Sequence, residues 1–141
     1  MENRKPVPVA PGIPAIIARD FPPDSHPYRV LERAILRHVD TDQTVLDLGC
    51  GRGAPALVRL KAHAKTLIGI DLVEFEIADP KLLLIKGNVC DMPAIASASI
   101  DLAYSRSVME HIENTMAACT EINRVLKSGG KYIFLTPNAW D

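Results

Sequence analysis

The chain has 141 residues, of which 48% are hydrophobic and 23% charged, and its formal net charge is −1. This size suits one compact domain, and the composition excludes a disordered, collagen-like or coiled-coil chain. A balanced charge gives no positive field to hold nucleic acid or an anionic membrane. No apolar run approaches the ~20 residues that cross a bilayer. Three widely spaced cysteines and four scattered histidines predict neither disulfides nor a metal site, and they favour a cytoplasmic protein.

Seven of the eleven prolines lie before residue 28. Proline fixes φ and has no backbone N–H, so residues 1–27 are predicted to form an extended proline-rich arm rather than part of a sheet. Two interpretations of this arm stay open. Its apolar residues could pack on the body of the protein, or it could be a loose tail. The body is predicted to comprise residues 28–141.

An amphipathic helix is predicted to begin near Tyr28, because apolar residues recur there at helical spacing. Short apolar runs follow, and their lack of alternation indicates strands buried on both faces. The runs are 44–48, 66–70, 82–85, 100–104 and 131–135. Helices are predicted at 55–63 and 115–127, the second stopped by Ser128-Gly129-Gly130. This alternation predicts an α/β fold, with a doubly wound, mostly parallel sheet of about five strands.

The connection between the second and third predicted strands is short. Only the eleven residues of 71–81 are available there, and they are acidic and contain Pro80. A parallel crossover needs about ten to twelve residues or more and usually contains a helix. We therefore expect this helix to be vestigial or absent and one face of the sheet to be thinly covered.

A glycine-rich loop, Asp47-Leu-Gly-Cys-Gly-Arg-Gly53, follows the first predicted strand. Glycines at 49, 51 and 53 let the backbone turn sharply and leave room for a ligand, and the next helix presents free N–H groups. Gly49-x-Gly51-x-x-Ala54 also fits the degenerate dinucleotide fingerprint of NAD-binding proteins. The Asp47 carboxylate, however, would repel a pyrophosphate and would suit a ligand with an ammonium group. The loop therefore favours S-adenosylmethionine over NAD.

The pattern Asp47-x-Gly49-x-Gly51-x-Gly53 resembles the first motif of the class I S-adenosylmethionine-dependent methyltransferases, which have a Rossmann-like fold. The resemblance continues in order through Gly-Ile-Asp71-Leu and the segments 87–93, 99–112 and 121–137, about four-fifths of the chain. It implies that the chain binds S-adenosylmethionine and transfers its methyl group. In the implied site, Asp71 binds the ribose hydroxyls, Leu72 packs on adenine, Asn88 and Val89 hold the adenine edge, and Ser105 and Arg106 face the methionine portion.

Two residues are candidates for catalysis. His111 could act as a general base, since imidazole titrates near neutrality, and Glu110 beside it is the second candidate. The alternative is that His111 only packs, and a base is needed only if the acceptor must lose a proton. We expect a small-molecule acceptor rather than a nucleic acid, because the chain has no basic patch or stacking motif. Cys50, within the glycine loop, is interpreted as a packing residue, and Asp101 as structural.

The chain departs from the family pattern at two places. Asn88 stands where many members carry an aspartate, although its carbonyl oxygen can still accept a hydrogen bond. The chain also stops at Asp141, just past the fifth predicted strand, where family members continue. It could be a fragment, a short form completed by a partner, or a degenerate homologue. An exposed fifth strand could pair with a second copy or a partner chain. The alternative functions are a non-catalytic S-adenosylmethionine-binding module or partner subunit, and an NAD-linked oxidoreductase.

Overall fold

The computed structural model describes residues 22–137 of the chain. Residues 1–21, most of the predicted arm, lie outside the described residues. The end of the predicted arm is not extended, because a turn of 3-10 helix occupies Pro23–Ser25. Helix α1 (Pro27–Leu36) then starts with Pro27 in its first turn, where the missing N–H costs nothing. The His26 side chain accepts the N–H of Tyr28 and caps this helix.

Five strands form one sheet in the order β3-β2-β1-β4-β5, and every pairing is parallel. The strands are β1 (Thr44–Leu48), β2 (Thr66–Asp71), β3 (Leu82–Lys86), β4 (Ile100–Arg106) and β5 (Leu126–Leu135). The chain starts in the middle of the sheet, moves to one edge through β2 and β3, and returns through β4 to the other edge. The predicted doubly wound α/β fold is confirmed.

Helices lie on both faces of the sheet. On one face α1 and α2 (Pro55–Leu60) pack with Val45, Leu67 and Leu102 in one buried cluster. On the other face α3 (Thr115–Val125) packs through Ile122 and Val125 on a second cluster. The side chains of each central strand therefore point alternately into two apolar layers, which is why the strand sequences are almost continuously apolar.

The ends of two helices differ from the predictions. Helix α2 ends at Leu60, and α3 ends at Val125 rather than at the glycine pair. Leu126 already has extended torsions and pairs with Ile100 of β4, because continuing the helix would remove this residue from the sheet edge. Gly129, at φ +79°, lies instead in the irregularity of β5 between its first pair and the pair Leu102–Lys131.

No helix covers the β2–β3 connection, as predicted. Phe75 and Ile77 of this connection pack, half-buried, against the cluster on the α1 face. The N–H of Glu76 donates to the carbonyl of Arg52 (2.9 Å), and Asp79 pairs with Lys61. Apolar contacts and ion pairs thus hold an irregular segment where the shortness of the chain leaves no room for a helix.

The β3–β4 connection also lacks a helix and is held by one ion pair of α3. The Arg124 guanidinium donates to the carbonyls of Met92 (2.8 Å) and Ile95 (2.9 Å) and pairs with Glu121 (2.7 Å). Glu121 in turn accepts the N–H of Met92 (2.7 Å). Arg124 and this N–H lower the pKa of Glu121 to about 2. Backbone groups that a helix would satisfy are satisfied here by two side chains.

We expect the substitution Arg124→Met to destabilise the fold by about 2 kcal/mol, because carbonyls and a carboxylate lose charge-assisted hydrogen bonds. Arg33→Met, on the exposed side of α1, is the matched control and should change stability by less than about 0.5 kcal/mol. The free energy of unfolding in urea measures both. Equal stabilities of the two variants would contradict this role of Arg124.

Two glycines of the loop after β1 form a second matched pair. Gly49 and Gly51 both have φ +74°, a torsion that strains any residue with a Cβ atom. A Cβ at Gly49 would also overlap Val108, whereas no atom lies within 4 Å of a Cβ at Gly51. We expect Gly51→Ala to cost about 1 kcal/mol of unfolding free energy and Gly49→Ala about 3 kcal/mol. A greater loss in Gly51→Ala would be incompatible with this packing.

Candidate functional site

A cleft of about 570 Å³ opens where β1, β2 and β4 end at one edge of the sheet. In parallel sheets this edge is where ligands bind. Several residues predicted for the site line the cleft together: Gly49, Asp71, Leu72, Asn88, Val89, Arg106 and His111. The residues of the predicted site that do not line it are Asp47, Gly51, Gly53, Ser105 and Glu110.

The glycine loop is anchored to the end of β2. The N–H of Gly49 donates to the carbonyl of Ile70 (2.8 Å), and the N–H of Gly51 donates to the Asp71 carboxylate (2.7 Å). Open space surrounds Gly51 and Gly53. Ala54 caps α2 at φ +41°, a strained torsion for alanine that the sequence pattern did not reveal. The backbone of the loop is therefore held in place and remains accessible beside the cleft.

Asp71 ends β2 with its carboxylate at the cleft. One oxygen accepts from Gly51 and the other accepts the N–H of Val73 (3.2 Å). Each carboxylate oxygen has a further lone pair, so the side chain can also accept from two hydroxyl groups of a diol. Leu72 follows with 69% of its surface exposed, which offers an apolar surface beside that carboxylate.

Asn88 holds a turn at the far side of the cleft. Its side-chain oxygen accepts the N–H of Cys90 (2.9 Å), and its backbone pairs with Asp91. The amide hydrogens of Asn88 and the second lone pair of its side-chain oxygen are therefore left for a ligand. Val89 lies next to it on the cleft wall and packs, half-buried, against the α3-face cluster.

Ser105, predicted to face the methionine portion, does not line the cleft. Strand β4 extends to Arg106, so Ser105 is a strand residue rather than a residue of the loop beyond. It is fully buried, and its hydroxyl lies 2.6 Å from the Tyr132 hydroxyl. Arg106, one residue on, points to the opposite face and lies over the ring of Tyr28, 4.5 Å from its centroid.

Of the two candidate catalytic residues, only His111 lines the cleft. It ends a 3-10 turn, Met109–His111, and its side chain is 78% exposed. Its Nε2 atom lies 4.0 Å from the carboxylate of Glu110. Glu110 points elsewhere and accepts from the Thr136 hydroxyl (3.1 Å). A proton acceptor in this cleft would therefore be His111 rather than Glu110.

Asp47 is buried beneath the glycine loop, with 4% of its surface exposed. It pairs directly with Tyr104 across β1 and β4, and the Tyr104 hydroxyl donates to its Oδ2 atom (2.9 Å). Burial raises the pKa of Asp47 to about 7, while Tyr104 and Arg106 act in the opposite direction. Sequence reasoning missed Tyr104. The available signal was a tyrosine directly after the apolar pair Leu102-Ala103 of a buried strand, but only the register shows which residue it faces.

A second cavity of about 350 Å³ lies between α1 and α2. Asp47 and Tyr104 form part of its lining, and it shares Gly49 and Arg106 with the cleft. Apolar side chains of both helices, among them Leu31, Ile35 and Leu60, make up most of its wall. An ion pair between Glu32 and Arg59 (3.0 Å) joins the two helices beside it. The cleft and this cavity therefore adjoin where β1 and β4 end.

Several further observations bear on the chemistry of the site. In residues 22–137 no group of three or more His, Cys, Asp or Glu side chains could hold a metal ion. No helix within the same range is long and apolar enough to cross a membrane. Burial raises the pKa of the Cys50 thiol to about 12, which leaves it unreactive at neutral pH. Asp101, at the other end of β4, accepts from Thr44 and Lys127 and is structural, as predicted.

Known proteins resemble the chain in sequence and in fold. Residues 46–134 match the model of a methyltransferase domain family. A probable S-adenosylmethionine-dependent methyltransferase of Mycolicibacterium smegmatis is 32% identical over 73% of this chain and 41% of its own. Sterol 24-C-methyltransferase of Pneumocystis carinii is 33% identical over 64% of this chain and 26% of its own.

A solved structure adds the comparison of folds. An S-adenosylmethionine-dependent methyltransferase of Mesorhizobium loti superposes with a TM-score of 0.66 at 24% identity, over 80% of this chain and 54% of that one. The aligned part of the chain spans less than half the length of each of the two sequence relatives. The family model covers well over half of the chain, including the glycine loop, all of β2, β3 and β4 and most of β5. The chain belongs to the class I S-adenosylmethionine-dependent methyltransferase family.

Proposed function

We propose that the chain binds S-adenosylmethionine in the cleft and acts as a methyltransferase. The observation that carries this proposal is the contact between the glycine loop and the end of β2. There the N–H of Gly51 meets the Asp71 carboxylate at 2.7 Å, with the buried Asp47 beneath the same loop. One site thus combines a backbone that a ligand can approach closely with two carboxylates at different depths.

The residues present fit each part of this cofactor. Asp71 suits the ribose diol, and Leu72 with Val89 offers apolar surface to adenine. Asp47 lines the adjoining cavity rather than the cleft, and it suits the ammonium group of a methionine portion that reaches past Gly49. No atom lies within 4 Å of a Cβ atom placed at Gly51 or Gly53, so the backbone there leaves space that a side chain would fill. A cleft of about 570 Å³ lies within the range of small-molecule sites.

When bound, S-adenosylmethionine supplies a methyl group on a positively charged sulfur. The chain contributes orientation and exclusion of water, which are the main requirements of a displacement reaction. Arg106 lines both the cleft and the cavity between α1 and α2. Its guanidinium N–H groups would donate hydrogen bonds that orient a ligand there. His111 would accept a proton at its imidazole nitrogen where the acceptor has one to lose.

The methyl acceptor is proposed to be a small molecule bound in the cavity between α1 and α2. That cavity adjoins the cleft at Gly49 and Arg106, and its volume of about 350 Å³ and apolar wall suit a compact, largely apolar compound. One relative acts on a sterol by its name. A cytoplasmic location is proposed as well, supported by the free thiols of Cys50, Cys90 and Cys119.

A second candidate function is a binding module that works with another chain. Strand β5 forms an edge of the described sheet, and Phe134 on it is 54% exposed. An unpaired edge with apolar surface is a template for a second copy or a partner chain. An NAD-linked oxidoreductase is less well supported, because a carboxylate beneath the glycine loop opposes a pyrophosphate.

We expect micromolar binding of S-adenosylmethionine and S-adenosylhomocysteine, and no binding of NAD, in isothermal titration calorimetry. Asp71→Asn should weaken binding of both adenosyl compounds at least tenfold, because it removes the charge that accepts from the ribose hydroxyls. Asp101→Asn, at the opposite end of the sheet, is the matched control and should bind as the wild type does. Binding of NAD with no binding of the adenosyl compounds would refute the proposed function.

The buried Asp47 should make stability fall with rising pH. Its pKa of about 7 lies above the ordinary value of 3.8, so between about pH 4 and pH 7 the unfolded chain releases a proton that the folded chain keeps. We expect Asp47→Asn to match the wild type near pH 4 and to be more stable by up to about 4 kcal/mol at pH 8. Urea unfolding at both pH values measures this difference.

The same variant should lose affinity for S-adenosylhomocysteine although it is more stable. The ionised Asp47 carboxylate lowers the free energy of unfolding because it is buried, whereas an amide of the same shape carries no charge and has no such cost. A wild type that is as stable as Asp47→Asn at every pH would show that Asp47 is ionised without cost in the folded chain.

A further inference from the structure

We propose that Tyr104 is a positioning residue for ligand binding, whose hydroxyl holds one oxygen of Asp47 so that the other oxygen meets a cationic group of the ligand. This inference rests on the proposed function and adds a residue to it. Tyr104 lines the cavity between α1 and α2 but not the cleft. Its contribution is therefore made through Asp47.

The backbone fixes the relation between the two side chains. Asp47 on β1 is the direct partner of Tyr104 on β4, so both side chains leave the sheet on the same face. Only 1% of the surface of Tyr104 is exposed, and its hydroxyl lies 2.9 Å from Oδ2 of Asp47. A ring packed this tightly has little freedom to turn, and the hydrogen bond therefore sets the orientation of the carboxylate.

The second oxygen of Asp47 is the group left for a ligand. Among the described residues, no fully buried side-chain oxygen lacks a hydrogen-bond partner. Among residues 22–137, the hydrogen bond from Tyr104 to the Asp47 side chain uses Oδ2, which leaves Oδ1 for a ligand in the cavity that Asp47 lines. An oxygen placed in this way accepts from an ammonium group without breaking the contact with Tyr104.

Other charged groups around Asp47 do not replace Tyr104. Arg106 and Arg59 favour its ionised form from a distance, and Asp71 opposes it. Arg59 is engaged by Glu32, and the thiol of Cys50 stays neutral because burial raises its pKa. His63 lines the same cavity. Tyr104 is the one group that donates a hydrogen bond to the Asp47 side chain among the described residues.

The hydrogen bond also has a consequence for pH. A proton on Asp47 competes with a cationic ligand, and a hydroxyl that donates to the ionised carboxylate favours release of this proton. Burial and the Asp47 carboxylate raise the pKa of Tyr104 far above its ordinary value, so its hydroxyl remains a donor at any pH of interest. Binding of an ammonium ligand should therefore strengthen as pH rises through about 7.

The test is calorimetric titration between pH 5.5 and pH 9 with two ligands. S-adenosylhomocysteine carries the ammonium group, and 5′-methylthioadenosine lacks the amino-acid portion. For the first ligand, Tyr104→Phe should move the midpoint of the pH dependence upward by about one pH unit. Affinity at pH 6 then falls about tenfold and is nearly unchanged at pH 9. For the second ligand, neither the variant nor the pH should matter.

Tyr132→Phe is the matched control, because it removes the hydroxyl of a half-buried tyrosine that contacts Ser105 on the opposite face. It should leave the midpoint unchanged. Asp47→Asn should abolish the pH dependence, whereas a dependence that persists would show that another group controls it and would overturn the proposal. A carbon-13 titration of the Asp47 carboxyl in unliganded wild type and Tyr104→Phe measures the same coupling without any ligand.

The possible outcomes separate this inference from the proposed function. If the wild type binds S-adenosylhomocysteine and Tyr104→Phe titrates like it, the role of Tyr104 is refuted and the proposed function stands. Equal losses for both ligands would also refute it, since they would indicate a general structural effect. If the wild type binds neither ligand, the proposed function fails, and the carbon-13 titration alone decides whether Tyr104 controls the ionisation of Asp47.

Discussion

Desolvation of one carboxylate at the centre of the sheet constrains the whole site. Asp47 lies on β1, between β2 and β4, where burial disfavours its charged form. Two residues pair with Asp47 in the sheet, Gly69 on β2 and Tyr104 on β4. Gly69 on β2 has no side chain, and a Cβ there would be 2.7 Å from the Cys50 sulfur, so glycine keeps space for the start of the loop. Tyr104 on β4 supplies the hydrogen bond.

The two irregular crossovers connect the site to the stability of the fold. The β2–β3 segment carries Leu72, and the β3–β4 segment carries Asn88 and Val89, so the side of the cleft proposed for adenine rests on segments without helices. Ion pairs and hydrogen bonds from side chains to the backbone hold both segments. The most extensive are the bonds from Arg124 to the carbonyls of Met92 and Ile95. Positions far from the cleft on α3 therefore help to fix its wall, and the precision of the site depends on polar contacts as much as on core packing.

Much of the fold followed from the sequence because the three central strands β1, β2 and β4 are buried on both faces and all five strands are rich in apolar residues. Continuous apolar runs located all five strands, and the bounds of β1 were exact. The short, acidic connection after β2, with Pro80 in it, predicted the missing helix. The start of β5 was wrong, since local sequence at 126–130 favours a helix and a glycine stop while the edge of β4 offers Leu126 a pairing partner. Tertiary pairing overrode local preference there.

The sequence predicted those site residues whose type restricts where they can lie in the fold. Glycines and carboxylates at strand ends have few alternatives in a parallel sheet, and Gly49 and Asp71 do line the cleft. The sequence ended β4 at Tyr104 and so left Ser105 in a loop, whereas β4 continues to Arg106 because Ser105 and Arg106 pair with Phe134 and Leu135 of β5. Tyr104 was missed because its partner follows from the β1–β4 register and from no local pattern. Pairing register, rather than composition or motif, therefore decides which buried polar groups meet in this protein.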